Sequence, residues 1–318
     1  MSRRVVTLLA TALGLVLLVR GVNHAGLDHI LEQFRNIGVA GFALILAATL
    51  VRQLSRTYAW TRLMDAGVPL WTAFSATMSG DAIGNLTPLS LLASEPAKAM
   101  FVREHLPPPR ALAALAAENF IYSLSVVAAV LTGVVVLFLR FAVPDVLRFA
   151  SLGIVGGMAA VLVLALWLIA REPALVSATL GRFVSASLLE KIRDLETTTY
   201  GFVRARPGRL AAVIACEITF HTASIAEAWI TLYFLGHNSI ALAIVLDTVQ
   251  RVITVVFRVI PLRIGIDGSG SGFTTELLGW GHPLGVTMGL IRNIRVLIWS
   301  AAGLVLLASR KEKATSHR

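Results

Sequence analysis

The sequence predicts an all-α polytopic membrane protein, and three observations carry that prediction. Apolar residues make up 56% of the 318 residues and charged ones only 14%, with a mean hydropathy of +0.77. A soluble domain of this length would lack the polar residues to cover its surface. The apolar residues gather in runs long enough, at about 1.5 Å per residue, to cross about 30 Å of hydrocarbon. The net charge of +10 sits in short basic patches between those runs, which suits loops beside an anionic leaflet better than a nucleic-acid groove. No basic strip interleaved with aromatics argues for RNA or DNA. The single cysteine, Cys216, lies inside an apolar run and reads as a small buried residue, which excludes an intrachain disulfide and a cysteine metal cluster.

Taken in order, Ser2-Arg3-Arg4 ahead of the uncharged run Val5 to Val19 has the basic start and apolar stretch of a signal peptide. No small-x-small cleavage site follows, and the run ends at Arg20, so it is read as a retained first span at about 5 to 22. Further spans are expected at about 37 to 60, 111 to 139, 148 to 170, 209 to 235 and 284 to 309, six full crossings in all. Two segments, about 69 to 95 and 239 to 275, begin apolar and then break into Pro, Gly, Ser and acidic residues. Irregular backbone at membrane depth survives only where protein or a water-filled cavity satisfies its amides, so each is expected to be a re-entrant or broken-helix hairpin.

The positive-inside rule fixes an orientation that begins with Arg3 and Arg4 in the cytoplasm. The patches Arg52, Arg56, Arg62 and Lys98, Arg103, Arg110 share that side only if the first hairpin enters and leaves by one face. The basic connection 171 to 208 returns to the cytoplasm as an amphipathic interfacial segment, and Arg310, Lys311 and Lys313 place the C-terminus there too. The second hairpin then opens from outside. The expected product is one integral membrane domain in the inner (plasma) membrane, with both termini cytoplasmic and halves at about 37 to 139 and 209 to 309. Pro88, Glu95, Pro109 and Asn119 run parallel to Pro261, Asp267, Pro283 and Asn293, with distances counted from the first proline agreeing within a residue. On this topology the halves form an inverted repeat, an arrangement that in transporters holds substrate near the midplane.

Ionisable side chains inside membrane segments are expensive, and each is a functional candidate. In the first half they are Asp81, Glu95, Lys98 and Glu118; in the second, Asp247, Arg251, Arg258, Arg263, Asp267, Arg292 and Arg295, with Glu217, His221 and Glu227 on the preceding helix. Asp247, Arg251, Thr254 and Arg258, at i, i+4, i+7 and i+11, make one polar helical stripe that cannot face lipid. Arg251, Arg258 and Arg292 carry planar donor forks suited to phosphate oxygens, or pair internally with Asp247, Glu118 or Glu217. Glu217 and His221 share a helix face as a structural or proton-linked pair. No HEXXH, DXXD, G-x-S-x-G or Walker A pattern appears, and no catalytic residue, metal or cofactor is assigned. Gly265 to Gly272 reads as an unwound, amide-exposing loop rather than a nucleotide cradle.

Pro88 followed by Ser94-Glu95-Pro96-Ala97-Lys98-Ala99 resembles the Pro-rich, Gly-Glu-x-x-(Arg/Lys)-Ala signature of the lysylphosphatidylglycerol synthase transmembrane-domain family. Pro261-Leu262-Arg263-Ile264-Gly265-Ile266-Asp267-Gly268 is similar to that family's second signature, Pro-x-(Arg/Gly)-x-Gly-x-(Glu/Asp)-(Gly/Ala), and the resemblance spans about residues 5 to 308. It implies an all-helical membrane domain with re-entrant segments that moves lipids, including aminoacylated phosphatidylglycerol, between leaflets. On that analogy Glu95 and Lys98 occupy the acidic and basic positions of the first signature, and Arg263 and Asp267 those of the second. The usual glycines after Pro88 are replaced by Ser90-Leu91-Leu92-Ala93-Ser94, and no soluble aminoacyl-transferase domain follows in the 318 residues. The expectation is a lipid transporter and not an enzyme. Its cargo would be an anionic, aminoacylated or isoprenoid lipid held by Glu95, Lys98, Glu118, Arg251, Arg258, Arg263, Asp267 and Arg292. The alternative is a non-catalytic membrane partner of a lipid-biosynthesis enzyme.

Overall fold

The computed structural model describes residues 19–20, 22–24, 26–64, 67–87, 90–171, 207–257 and 265–316, which are helical with short turns and contain no strand. The named helices are α1 (Leu27–Leu63), α2 (Leu70–Leu86), α3 (Ser90–Phe101), α4 (Pro108–Arg140), α5 (Asp145–Arg171), α6 (Pro207–Phe234), α7 (Ile240–Val256), α8 (Ile266–Leu277) and α9 (His282–Ser316). Nearly all of the expected first span, and the basic connection 171 to 208 except for its ends, lie outside the described residues. So do Pro88, Pro261, Arg258 and Arg263.

Among the described residues four helices are long and apolar enough to cross a membrane, at Ile30–Leu63, Pro108–Arg140, Gly208–Phe234 and His282–Arg310. They fall on four of the expected spans, and α5 occupies the place of a fifth. The helix expected at 37 to 60 is longer, because Gly38 (φ 56, ψ −172) bends α1 without ending it. Proline starts α4, whose first turn needs no proline N–H. Ser239 caps α7 by accepting from the Leu242 N–H at 3.2 Å.

The two broken segments both resolve into a 17-residue helix followed by a 12-residue one: α2 then α3, and α7 then α8. At about 1.5 Å per residue the shorter helices reach about 18 Å, well under the hydrocarbon thickness. Two local expectations need correction. Ser90 to Met100 is helix, with Pro96 inside it, so Glu95 and Lys98 stand on a helix face and not on an irregular tip. The glycine-rich run is not an unwound loop either, since Gly265 caps α8 and Ile266 to Gly272 is the first part of that helix. Its glycines serve packing instead of exposing amides. A Cβ on Gly289 would lie 2.4 Å from Gly268 Cα, and one on Gly285 would lie 2.2 Å from the Ser271 carbonyl. Helix α8 thus meets α9 almost backbone to backbone, as small residues allow in membranes.

Packing follows a regular plan. α1 runs against α6; α2 packs on α3 and on the distant α9, while α7 packs on α8 and on the distant α4. Likewise α3 packs on α4 as α8 does on α9, and α1 on α2 as α6 does on α7, with α5 outside this scheme, against α4. Exchanging α1 to α4 for α6 to α9 leaves these pairings unchanged. The largest apolar cluster gathers Trp60, Leu63, Met64, Phe101, Val102 and Leu115 where α1, α3 and α4 meet. Large apolar side chains such as Val51, Val135, Leu139, Ile218, Leu297 and Val305 face outward, while Lys98, Glu118, Glu217, Arg251 and Arg295 are buried. Charge inside and hydrocarbon outside is the distribution a lipid solvent selects.

Candidate functional site

The buried charges form a strip of interlocking pairs through the bundle. It begins in the first hairpin, where Lys98 on α3 reaches Asp81 Oδ1 on α2 at 2.8 Å and Glu95 Oε1 at 3.2 Å. Gly80 makes this possible: a Cβ there would lie 2.4 Å from Lys98 Cγ. The sequence placed Lys98 where the chain returns to the cytoplasm, but the residue is 4% exposed and faces α2. Its ammonium finds two carboxylates there and has no need of water.

Arg56 on α1 then donates from Nε to Glu118 Oε1 at 2.8 Å and from Nη2 to Oε2 at 2.7 Å. This is the bidentate geometry that only a guanidinium supplies. Its Nη2 also reaches Asn119 Oδ1 at 3.1 Å, and the guanidinium lies 4.2 Å from the Tyr122 ring centroid. One turn away on α1, Arg52 meets Glu227 Oε2 of α6 at 2.8 Å, and Arg295 of α9 pairs with the same carboxylate. Thr49 adds a hydroxyl donor to Glu227 at 3.3 Å.

Between these pairs lies Ser125 on α4. Its hydroxyl is 2.9 Å from Glu217 Oε2 and 2.8 Å from His221 Nε2, so it bridges the two α6 residues that the sequence paired directly. The charges acting most on Glu217 are Glu118, Arg56 and Arg251, which ties this bridge to both neighbours.

In the second hairpin Asp247 receives Arg251 Nε at 2.7 Å and the Ser224 hydroxyl at 2.6 Å. The polar stripe on α7 is therefore closed partly upon itself. Arg292 of α9 donates to Gln250 and, at 3.0 Å, to Thr254 Oγ1, and its Nε stands 3.8 Å from Asp267 Oδ2. Gln250 in turn donates to the Asp267 carbonyl at 3.2 Å and to Ser271. Arg52 and Arg251 both lie over the Phe220 ring, at 4.9 and 5.7 Å from its centroid.

Of the sequence-predicted set, the structure brings Glu95 and Lys98 together in one hairpin, Arg292 and Asp267 together in the other, and joins Arg251 to Asp247 and Glu118 to Arg56. Arg258 and Arg263 lie outside the described residues.

The family model for the lysylphosphatidylglycerol synthase TM region matches residues 4–303, nearly the whole chain. The chain belongs to this family. No curated protein and no solved structure matches it significantly. The strip crosses from one half to the other through Arg52, Arg56, Glu118 and Glu227, which both signatures leave out.

Arg52 and Arg56 are the main omission from the sequence reading, which took them for a cytoplasmic basic patch. Both instead project from the body of α1 into the bundle. The missed signal is their register: Thr49, Arg52 and Arg56 stand at i, i+3 and i+7, on one face of the helix. Arg62, which continues the patch, is exposed and lies 4.6 Å from the Tyr58 ring centroid. Ser125 and Gln250 were invisible for a different reason, since their roles exist only once α4 meets α6 and α7 meets α8.

Proposed function

We propose that this member of the family moves a phospholipid bearing a cationic or zwitterionic headgroup between leaflets, along the buried strip. Its two short-helix hairpins act as re-entrant segments of an inverted repeat, with both chain termini cytoplasmic. The observation that carries the reading is the uneven charge along the strip. Around the first hairpin four carboxylates, Asp81, Glu95, Glu118 and Glu217, face two cations, Arg56 and Lys98. Around the second, four arginines, Arg52, Arg251, Arg292 and Arg295, face three carboxylates, Glu227, Asp247 and Asp267. One end has negative charge to spare and the other positive.

A phosphate matches the arginine end. Arg52 Nε, Arg251 Nη2 and Arg295 Nε are buried without a hydrogen-bond partner among the described residues, and a buried donor left so costs about 1–3 kcal/mol. Three such charged donors, one each from α1, α7 and α9, are of the kind that phosphate oxygens accept. An ammonium matches the acidic end, where Glu95 Oε2 and Glu217 Oε1 are likewise buried and unpaired among the described residues. The spacing of the two poles along one strip favours an aminoacylated or amine-bearing phospholipid over a purely anionic one. The contacts holding Arg251, Arg292 and Lys98 would exchange for headgroup contacts as one half rocks against the other.

The test is a liposome assay with fluorescent phospholipids scored for movement between leaflets. Wild-type chain should move an aminoacylated phosphatidylglycerol faster than phosphatidylglycerol itself. Asp81→Asn with Glu95→Gln should slow the aminoacylated lipid selectively, while Arg52→Gln should slow both. A protein that moves none of these lipids, with or without a proton gradient, is not a transporter of this kind and would stand instead as a membrane partner of a lipid enzyme.

A further inference from the structure

Away from the strip, where the segment before α1 meets the α8–α9 turn, His24, Glu276 and His282 each bring a ligand atom to within 4.8 Å of the others. They come from three separate pieces of chain. His282 Nδ1 stands 3.1 Å from Glu276 Oε2, and the His24 ring meets the His282 ring edge-on, with centroids 4.6 Å apart and planes at 86°. Donors around a tetrahedral zinc ion, each about 2.0–2.2 Å from the metal, lie about 3.3 Å from one another. The His282 and Glu276 donors already have nearly that separation. The His24 donor, within 4.8 Å of both, would supply the third after a change of side-chain rotamer.

The site is held from beneath. A Cβ on Gly272 would lie 2.9 Å from His282 Cε1 and 3.1 Å from its Nδ1, so only glycine there lets the imidazole sit against α8. Gly281, at φ 84, makes the left-handed turn that starts α9 directly at His282. Val22, two residues before His24, packs with Ile30, Phe34, Val286 and Leu290, which fixes the approach of the N-terminal segment to α9. Glu276 is half exposed and His24 exposed, so an ion can enter from solvent and keep water on its open positions.

The geometry points to a divalent transition-metal site at this end of the bundle, made by His24, Glu276 and His282. Two imidazoles and one carboxylate suit zinc or a neighbour such as cobalt or nickel, whereas calcium and magnesium ask for oxygen donors throughout. A hydrogen bond between His282 and Glu276 alone would not call for a second imidazole standing edge-on to the first. The bound ion would tie the segment before α1 to both helices of the α8–α9 pair. The site is independent of whether the chain carries lipid.

The experiment is calorimetric titration of zinc chloride into the full chain, purified in detergent without a polyhistidine tag and stripped with chelator. One ion per chain should bind, magnesium and calcium should not compete, and thermal unfolding should move to higher temperature with zinc. His282→Ala and His24→Ala should each weaken binding about tenfold or more. His24→Ala leaves the His282–Glu276 contact in place and so separates lost ligation from lost folding. His237→Ala, on the α6–α7 turn, is the control that should bind as wild type does. Absence of zinc binding, or binding that survives both His24→Ala and His282→Ala, would overturn the assignment.

Discussion

In the first half of the bundle the cation Arg56 stands on the leading long helix and the acid Glu118 on the trailing one; in the second half the acid Glu227 leads and the cations Arg292 and Arg295 trail. The positions correspond. Arg56 and Glu227 each lie seven residues before the last residue of their helices, Leu63 and Phe234. Glu118 and Arg292 each lie ten residues after the first, Pro108 and His282. A buried pair needs complementary partners at hydrogen-bond distance, and it does not matter which helix carries which sign. The sign is therefore free to differ between halves.

The hairpins differ in the same spirit. The first is fastened by side chains, through Lys98 held between Asp81 and Glu95. The second is joined within itself by Gln250, which donates to the Asp267 carbonyl and to Ser271, and is fastened to α9 by near-contact of backbones at Gly268, Gly285 and Gly289. A side-chain lock can be released by exchanging ion partners. A glycine seam holds or slides as a unit.

The hardest blow to this comparison is Glu118→Ala, which strands the Arg56 guanidinium and should cost about 3–5 kcal/mol in detergent unfolding. The reversed pair, Arg56→Glu with Glu118→Arg, should recover more than half of that loss. Equal instability of the single and reversed variants would show that sign is not free after all. Next comes Gly285→Ala, whose new methyl meets the Ser271 backbone and should destabilise by about 1–3 kcal/mol. Gly80→Ala meets the Lys98 stem at 2.4 Å and the Ser94 carbonyl at only 3.0 Å, and should cost less, because its closest neighbour is a side chain that can yield where backbone cannot. The reverse order would mean that the first hairpin is the more rigid. Ser125→Ala, which removes the bridge between Glu217 and His221, should cost about 1 kcal/mol in the same assay. Arg62→Ala, at the exposed end of the α1 basic series, should stay within about 0.5 kcal/mol of wild type.

Much of the fold was legible because hydrocarbon leaves few choices. Runs such as 111 to 139 and 284 to 309 had to be long helices, and both are. The hairpins were legible as interruptions, yet their helicity was not. Pro96 and the Gly265 to Gly272 run signal broken backbone in water, whereas here Pro96 and Ile266 to Gly272 lie within helices, and Gly268 and Gly272 pack against α9. Among site residues, the acids and arginines deep in apolar runs stood out by cost alone. Arg52 and Arg56 did not, since a basic residue near the end of a run reads equally as an interface anchor.

Composition, run length and motif order are properties of the chain alone, and they suffice to make this a multi-pass membrane protein of the lysylphosphatidylglycerol synthase TM region family. Which charges meet was settled by packing. Arg56 and Glu118 are separated by 62 residues, and Arg52 and Glu227 by 175. A sequence can say that a buried charge must have a partner. The partner is chosen by which helices pack together, and here that choice sets α1 beside α6 and sends α2 and α7 each to the opposite half.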